Sequence, residues 1–156
     1  MNVALFPGSF DPFTVGHASV VRRVLPLFDR LIIAVGDNRG KRSTRSVAER
    51  VAAIARLYGD ECRIEVRAYD CLTADYAVSV GAGYIVKGVR GCADYDSELV
   101  QADVNRRLTG VETLLVPAEQ ELSHVSSSLV RELAAFGRDV SGLLPSPLAA
   151  DRGGER

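Results

Sequence analysis

Leu5-Phe6-Pro7-Gly8-Ser9-Phe10-Asp11-Pro12-Phe13-Thr14-Val15-Gly16-His17 joins the apolar opening run of the chain to its first helical pattern. Asn2 to Phe6 is short and apolar enough for a buried strand, two Pro and two Gly then break the chain, and His17 opens a segment with helical spacing. Gly8 and Gly16 would let backbone N–H groups approach a ligand closely. A helix starting just after the turn adds a partial positive charge aimed at the same place. The stretch suits an anion.

Working outward, Val20, Val21, Val24, Leu25 and Phe28 fall on one side of a helix from His17 to Phe28, which Pro26 should end or bend early. Arg30 to Val35 reads as a second strand. Gly36 to Arg45 is a basic loop holding Arg39, Lys41, Arg42 and Arg45. Ser46-Val47-Ala48-Glu49 has the form of a capping box, opening a helix to about Tyr58 that Gly59 stops. Cys62 to Ala68 alternates Ile64 and Val66 with Arg63, Glu65 and Arg67, the pattern of a half-exposed strand at a sheet edge. A short helix is expected over Leu72 to Val80. A strand over Gly83 to Val86 should then end in a second glycine-broken basic turn, Lys87-Gly88-Val89-Arg90-Gly91. Asp94 to Leu108 predicts a helix with Glu98, Gln101 and Asn105 near one face, and Val111 to Val116 a fifth strand. After the loop Pro117 to Val125, Ser126-Ser127-Ser128 opens a last helix with Leu129, Val130, Leu133 and Phe136 on its apolar side.

Five strands separated by helices imply an α/β fold, a Rossmann-like doubly wound parallel sheet with helices on both faces, because parallel neighbours need helical crossovers. The turns after strands one, two and four and the triple serine after strand five would gather at the strands' carboxyl ends, where such sheets bind ligands.

Composition sets the outer bounds. With 156 residues, 47% of them hydrophobic and 25% charged, one core is expected, placed here at residues 1–145 with a frayed tail over 146–156. A net charge of -1 provides no general field for nucleic acid or an anionic membrane, so any basic site must be local. Cys62, Cys71 and Cys92 lack C-x-x-C spacing and are expected to be reduced rather than paired or metal-bound. Neither a charged-then-apolar leader nor an apolar run of about 18 residues is visible, and a cytoplasmic protein is expected.

Gly8-Ser9-Phe10-Asp11-Pro12 with Thr14-Val15-Gly16-His17, then Lys87-Gly88-Val89-Arg90, then Val125-Ser126-Ser127-Ser128 with Arg131, resembles the nucleotidyltransferase superfamily with T/H-x-G-H and I-S-S-S-x-x-R/K signatures. Within it the chain is most similar to the bacterial phosphopantetheine adenylyltransferases, from about Val3 to Pro145. The resemblance implies transfer of the adenylyl group of ATP to 4'-phosphopantetheine, giving dephospho-coenzyme A and pyrophosphate, with Mg2+ accompanying ATP and a homohexameric assembly. Two other readings stay open: a sister enzyme using another nucleotide or phosphate acceptor, and a non-catalytic nucleotide-binding module.

By the same resemblance, His17 would donate to the α-phosphate, with Lys41 and Lys87 holding the acceptor's phosphate beside it. Thr14 would shape the turn or touch phosphate. Ser9, Phe10, Gly88, Val89, Arg90 and Glu98 match ATP-binding positions. So do Leu122, Ser123, His124 and Val125, and Ser126, Ser127 and Ser128 would cradle the β,γ-phosphates. Ser9 also matches a phosphopantetheine position, as do Leu72, Thr73 and Asn105, with Gln101 and Val104 alongside. Plainer uses exist for several of these: turn chemistry for Ser9, a solvated loop for Lys41, a solvated helix face for Glu98, a helix cap for the serines, an exposed loop histidine for His124. The chain departs from the family at Lys87, where many members carry Arg, and at Arg45, Ser97 and Leu122, where an aromatic is usual. The in-line attack itself asks the protein only to position two anions and neutralise charge, with no enzyme nucleophile and no dedicated metal cluster.

Overall fold

The computed structural model describes residues 1–37 and 43–146; Lys41, with Arg39 and Arg42, and tail residues 147–156 lie outside the described residues. The elements are β1 (Val3–Gly8), α1 (Val15–Val24), β2 (Arg30–Gly36), α2 (Val47–Leu57), β3 (Ile64–Tyr69), α3 (Thr73–Ser79), β4 (Tyr84–Val89), α4 (Cys92–Thr109), β5 (Glu112–Pro117) and α5 (Ser127–Ala135). Short 3-10 turns cover Leu25–Leu27, Gln120–Leu122 and Ser141–Leu143. Pro26 sits at the start of the first of these, which is where α1 stops.

All five strands run parallel in the order β3-β2-β1-β4-β5. Period-two alternation sends neighbouring side chains to opposite faces, and both faces are buried, as the crossover helices require. Ala4, Phe6, Leu31, Ile33 and Val35 meet Val20, Val21 and Val24 of α1 and Ile54 of α2 on one face. Val3, Leu5, Ile32, Ala34 and Ile85 meet Ala77 of α3 on the other. β3 lies at the edge with none of its residues fully buried, and Glu65 joins Arg30 and Arg67 there. Such charges suit an edge that should not recruit another strand.

The chain crosses from one half of the sheet to the other between β3 and β4. β1 and β4 are paired only at Ala4–Tyr84 and Leu5–Ile85, whereas β1 runs beside β2 from Val3–Arg30 to Gly8–Val35. The crevice beyond Leu5–Ile85, at the carboxyl ends, is the topological switch point of the sheet.

Three expectations need correction. β4 runs through Lys87, Gly88 and Val89, which pair with Leu115, Val116 and Pro117; only Arg90 and Gly91 form the turn. α1 starts at Val15, with His17 already in its first turn. Phe136 is 79% exposed at the end of α5, whose one buried residue is Val130.

Candidate active site

The turn after β1 is built around two aromatic rings. Phe10 takes a left-handed conformation, φ 47°, with its side chain only 3% exposed. That backbone costs about 1–2 kcal/mol for a residue with a Cβ, while burying a phenyl ring contributes about 2–3 kcal/mol, so packing wins. The ring contacts Phe6 at 5.3 Å, Phe13 at 5.2 Å and His17 at 5.0 Å between centroids. It also explains Gly8. A Cβ there would come within 2.8 Å of the Phe10 ring, so the glycine makes room for an aromatic side chain at the edge of the cleft it lines. The Asp11–Pro12 peptide is cis.

Thr14 caps α1, and His17 occupies the third helical position, where a capping box usually has Glu or Gln. Its Nδ1 accepts the backbone N–H of Thr14 at 3.0 Å, leaving the proton on Nε2. Thr14, 1% exposed, orients His17 from the floor of the cleft. Loss of solvent around the imidazole pushes its pKa down to about 4, with Arg90 and Lys87 adding like-charge repulsion. His17 is therefore a neutral donor at pH 7.

The facing wall comes from β4 and α4. Lys87 Nζ lies 3.1 Å from Glu98 Oε1, and Arg90 is bonded to Asp94 through Nε at 2.7 Å and Nη2 at 3.2 Å. The side-chain bond from Arg90 is the first cause holding the Asp94 carboxyl below its ordinary range. Each cation thus has a carboxylate companion one helical turn apart on α4. Glu98 Oε2 is buried with no hydrogen-bond partner among the described residues. A Cβ on Gly88 would stand 3.1 Å from Val20, so this glycine lets α1 pack closely on β4.

The third wall is the start of α5. Ser126 caps the helix, its Oγ accepting the N–H of Leu129 at 3.0 Å. Ser127 Oγ donates to the Pro12 carbonyl at 2.8 Å, and Arg131 donates to the Asp11 carbonyl at 2.6 Å and to Ser128 Oγ at 3.3 Å. Two of the three serines thus serve as cap and strap, and all three line the cleft at the helix start, where N–H groups without intrahelical partners suit an anion.

These walls enclose a cleft of about 440 Å³, within the usual range for small-molecule sites. It brings together Ser9, Phe10, His17, Lys87, Gly88, Val89, Arg90, Glu98, Leu122, Val125, Ser126, Ser127 and Ser128. Ser123 and His124 are exposed and do not line it. Neither do Leu72, 62% exposed at the cap of α3, nor Thr73, whose hydroxyl meets that of Tyr69 at 3.0 Å, nor Asn105 on α4.

Sequence reasoning passed over Asp94, Asp11 and Arg50. The i, i+4 spacing of Asp94 and Glu98, two acids following two bases, was the available signal for the first. Asp11 is 5% exposed and accepts the N–H and hydroxyl of Thr44 at 2.7 and 2.6 Å. Burial opposes its ionisation, but Thr44, Arg131 and Arg50 outweigh burial and lower its pKa. Arg50, 3% exposed, reads in sequence as one more polar residue of α2. Cys62, Cys71 and Cys92 are free and exposed.

A parallel sheet with an anion cleft at its switch point, rimmed by a donor histidine, paired cations and a helix start, defines a nucleotidyltransferase of Rossmann-like fold. In agreement, a family model described as Cytidylyltransferase-like matches residues 5–133. A phosphopantetheine adenylyltransferase of Phocaeicola vulgatus is 46% identical over 151 residues, 97% of this chain and 100% of the relative. One of Kocuria rhizophila is 47% identical over 146 residues, 93% and 94% of the two chains. The chain belongs to the phosphopantetheine adenylyltransferase family. A solved structure from Vibrio parahaemolyticus, described as a candidate nicotinate-nucleotide adenylyltransferase, superimposes with a TM-score of 0.66 at 17% identity over 96% of this chain and 97% of that one, and shares the fold.

Proposed function

We propose that this protein transfers the adenylyl group of ATP to 4'-phosphopantetheine, forming dephospho-coenzyme A and pyrophosphate. The observation that carries the reading is the neutral His17, locked by Thr14 with its Nε2–H free, in a cleft that also presents Lys87, Arg90 and the α5 start. An oxygen of the acceptor phosphate attacks the α-phosphorus in line, the bond to the bridging oxygen breaks, and pyrophosphate leaves with that oxygen. His17 Nε2–H stabilises charge gathering on the α-phosphate oxygens, where a fixed neutral donor is worth more than a mobile charge. Lys87, and by resemblance Lys41, hold the acceptor phosphate. Arg90 and the first turn of α5 hold the β- and γ-phosphates, with Ser9 at the junction. No covalent enzyme intermediate is needed.

Mg2+ fits as a companion of ATP. Among the described residues no group of three or more His, Cys, Asp or Glu could hold a metal ion, so its ligands would come chiefly from phosphate and water, with Glu98 Oε2 as the free protein oxygen nearest in kind. When bound it supplies charge neutralisation on the phosphates. A homohexamer is part of this reading. It is supported by α4, which buries no residue and leaves Tyr95, Leu99, Val100, Val104 and Leu108 exposed. Cytoplasmic location is proposed on the same footing; no helix among the described residues is long and apolar enough to cross a membrane.

A coupled pyrophosphate-release assay with ATP, Mg2+ and 4'-phosphopantetheine tests the function. Acceptor-dependent release is expected. Release only with CTP, or only with nicotinate mononucleotide or glycerol phosphate as acceptor, selects a sister activity, and none at all leaves a binding module.

A further inference from the structure

Arg50 directs its guanidinium at main-chain carbonyls from three separate stretches. Nε donates to Arg45 at 3.2 Å, and Nη1 donates to Gly36 at 3.1 Å and to Ser9. These are the turn after β1, the end of β2 and the chain entering α2. Asp11, four residues before the α1 helix, complements it by taking both the N–H and the hydroxyl of Thr44. The two described anchors of the 37–45 connection, Gly36 and Thr44-Arg45, are therefore both tied to the Ser9–Asp11 turn.

A buried cation without an ion-pair partner among the described residues is a poor way to stabilise a core, where an apolar side chain of similar size would serve. Its geometry suits another task. A planar guanidinium can hold three carbonyls in fixed directions, which a single ammonium cannot. With the Ser9 carbonyl taken, the hydroxyl and N–H of Ser9 are left for the cleft. We infer that Arg50 and Asp11 are positioning residues for the acceptor, bracing the Ser9 turn against both anchors of the 37–45 connection. The inference rests on the adenylyl-transfer reading for the identity of the acceptor. The asymmetry lies in Arg50, which bonds neither to Arg90, in the turn after β4, nor to the Ser126–Ser128 start of α5; that side is reached only by the Asp11 carbonyl, through Arg131.

The test compares Arg50→Lys and Thr44→Val with Ile54→Val, a core change on the same helix that loosens packing without touching the brace. ATP and 4'-phosphopantetheine affinities are measured separately by calorimetry, with kcat and both KM values from pyrophosphate release. Arg50→Lys should weaken acceptor binding by at least about tenfold and ATP by no more than about threefold, the scale of a small misplacement. Thr44→Val, at an exposed position, should weaken the acceptor by at least about threefold, and Ile54→Val should leave both affinities within about twofold. Equal weakening of both ligands in step with loss of thermal stability overturns the inference, as does an unchanged acceptor affinity in Arg50→Lys. If Arg50→Lys does not fold, Thr44→Val decides alone. A wild type that binds both ligands but releases no pyrophosphate refutes the catalytic reading, while the two affinities still report on the brace.

Discussion

The backbone N–H of Thr14 donates to Nδ1 of His17 at 3.0 Å, so the start of α1 decides which imidazole nitrogen carries the proton. A transition-state donor fixed in this way should matter for turnover more than for binding. His17→Ala is expected to lower kcat by about two to three orders of magnitude with a smaller change in ATP affinity. Steady-state rates beside equilibrium ATP binding check this, and an unchanged kcat would return His17 to a purely capping role.

The same ring has a pH signature. Unfolded, His17 takes a proton near its ordinary 6.5; folded, it does so only near 4. The unfolded chain binds more protons in that window, so the stabilisation is complete above pH 6.5 and is lost as pH falls toward 4, by about 3 kcal/mol at the most. The chain has only two histidines, so imidazole NMR with a His124→Gln control can separate them. The His17 signal should titrate with a midpoint below 5, and a midpoint of 6 or higher would contradict the desolvated site.

Lys87 stands where many relatives have Arg, and it reaches Glu98 with a single ammonium group. If a charged hydrogen bond to the acceptor phosphate is its task, Lys87→Met should lower kcat/KM for the acceptor by a factor of about 10–100, corresponding to 1.5–3 kcal/mol. Lys87→Arg should recover most of that loss. Initial rates at saturating ATP measure both, and an unaltered acceptor KM in the Met variant would remove Lys87 from the site.

If Arg90 holds phosphate as proposed, Asp94, which is bonded to it, competes with that phosphate. Exposed i, i+4 ion pairs are worth about 0.3–1 kcal/mol, so Asp94→Asn should tighten pyrophosphate binding by about two- to fivefold. Titration calorimetry with pyrophosphate reads this directly. Weaker binding in the variant would mean that Asp94 holds Arg90 in place instead of occupying it.

The five parallel strands, the capping box at Ser46 and the edge position of β3 were legible because local pattern and tertiary placement agree there. Lys87-Gly88-Val89 was misread as a turn since glycine and charge are turn signals, yet β5 pairs with all three residues and Val20 needs the absent Cβ. That Gly8 also makes room for the Phe10 ring was not legible, because the ring's position is set by tertiary packing. The cleft-lining members of the motifs were named through the resemblance to the family, and the fold brings them to one cleft. Arg50 was invisible: its partners are carbonyls, which every residue has, and only the fold selects three of them.

The short ladder between β1 and β4 has a mechanical consequence. The crevice is lined by Ser9 and His17 from one half of the sheet and by Lys87 and Arg90 from the other. Backbone pairing at Ala4–Tyr84 and Leu5–Ile85 is a narrow joint between those halves. A second joint lies at the rim, where Ser127 grips Pro12, Arg131 grips Asp11, and Glu119 beyond β5 is held by Ser19 at 2.7 Å and Arg22 at 2.6 Å of α1. The molecule works as two jaws bolted at their lips rather than along their hinge, and the bolts lie in loops and helix starts that a view of the sheet alone would dismiss as connections.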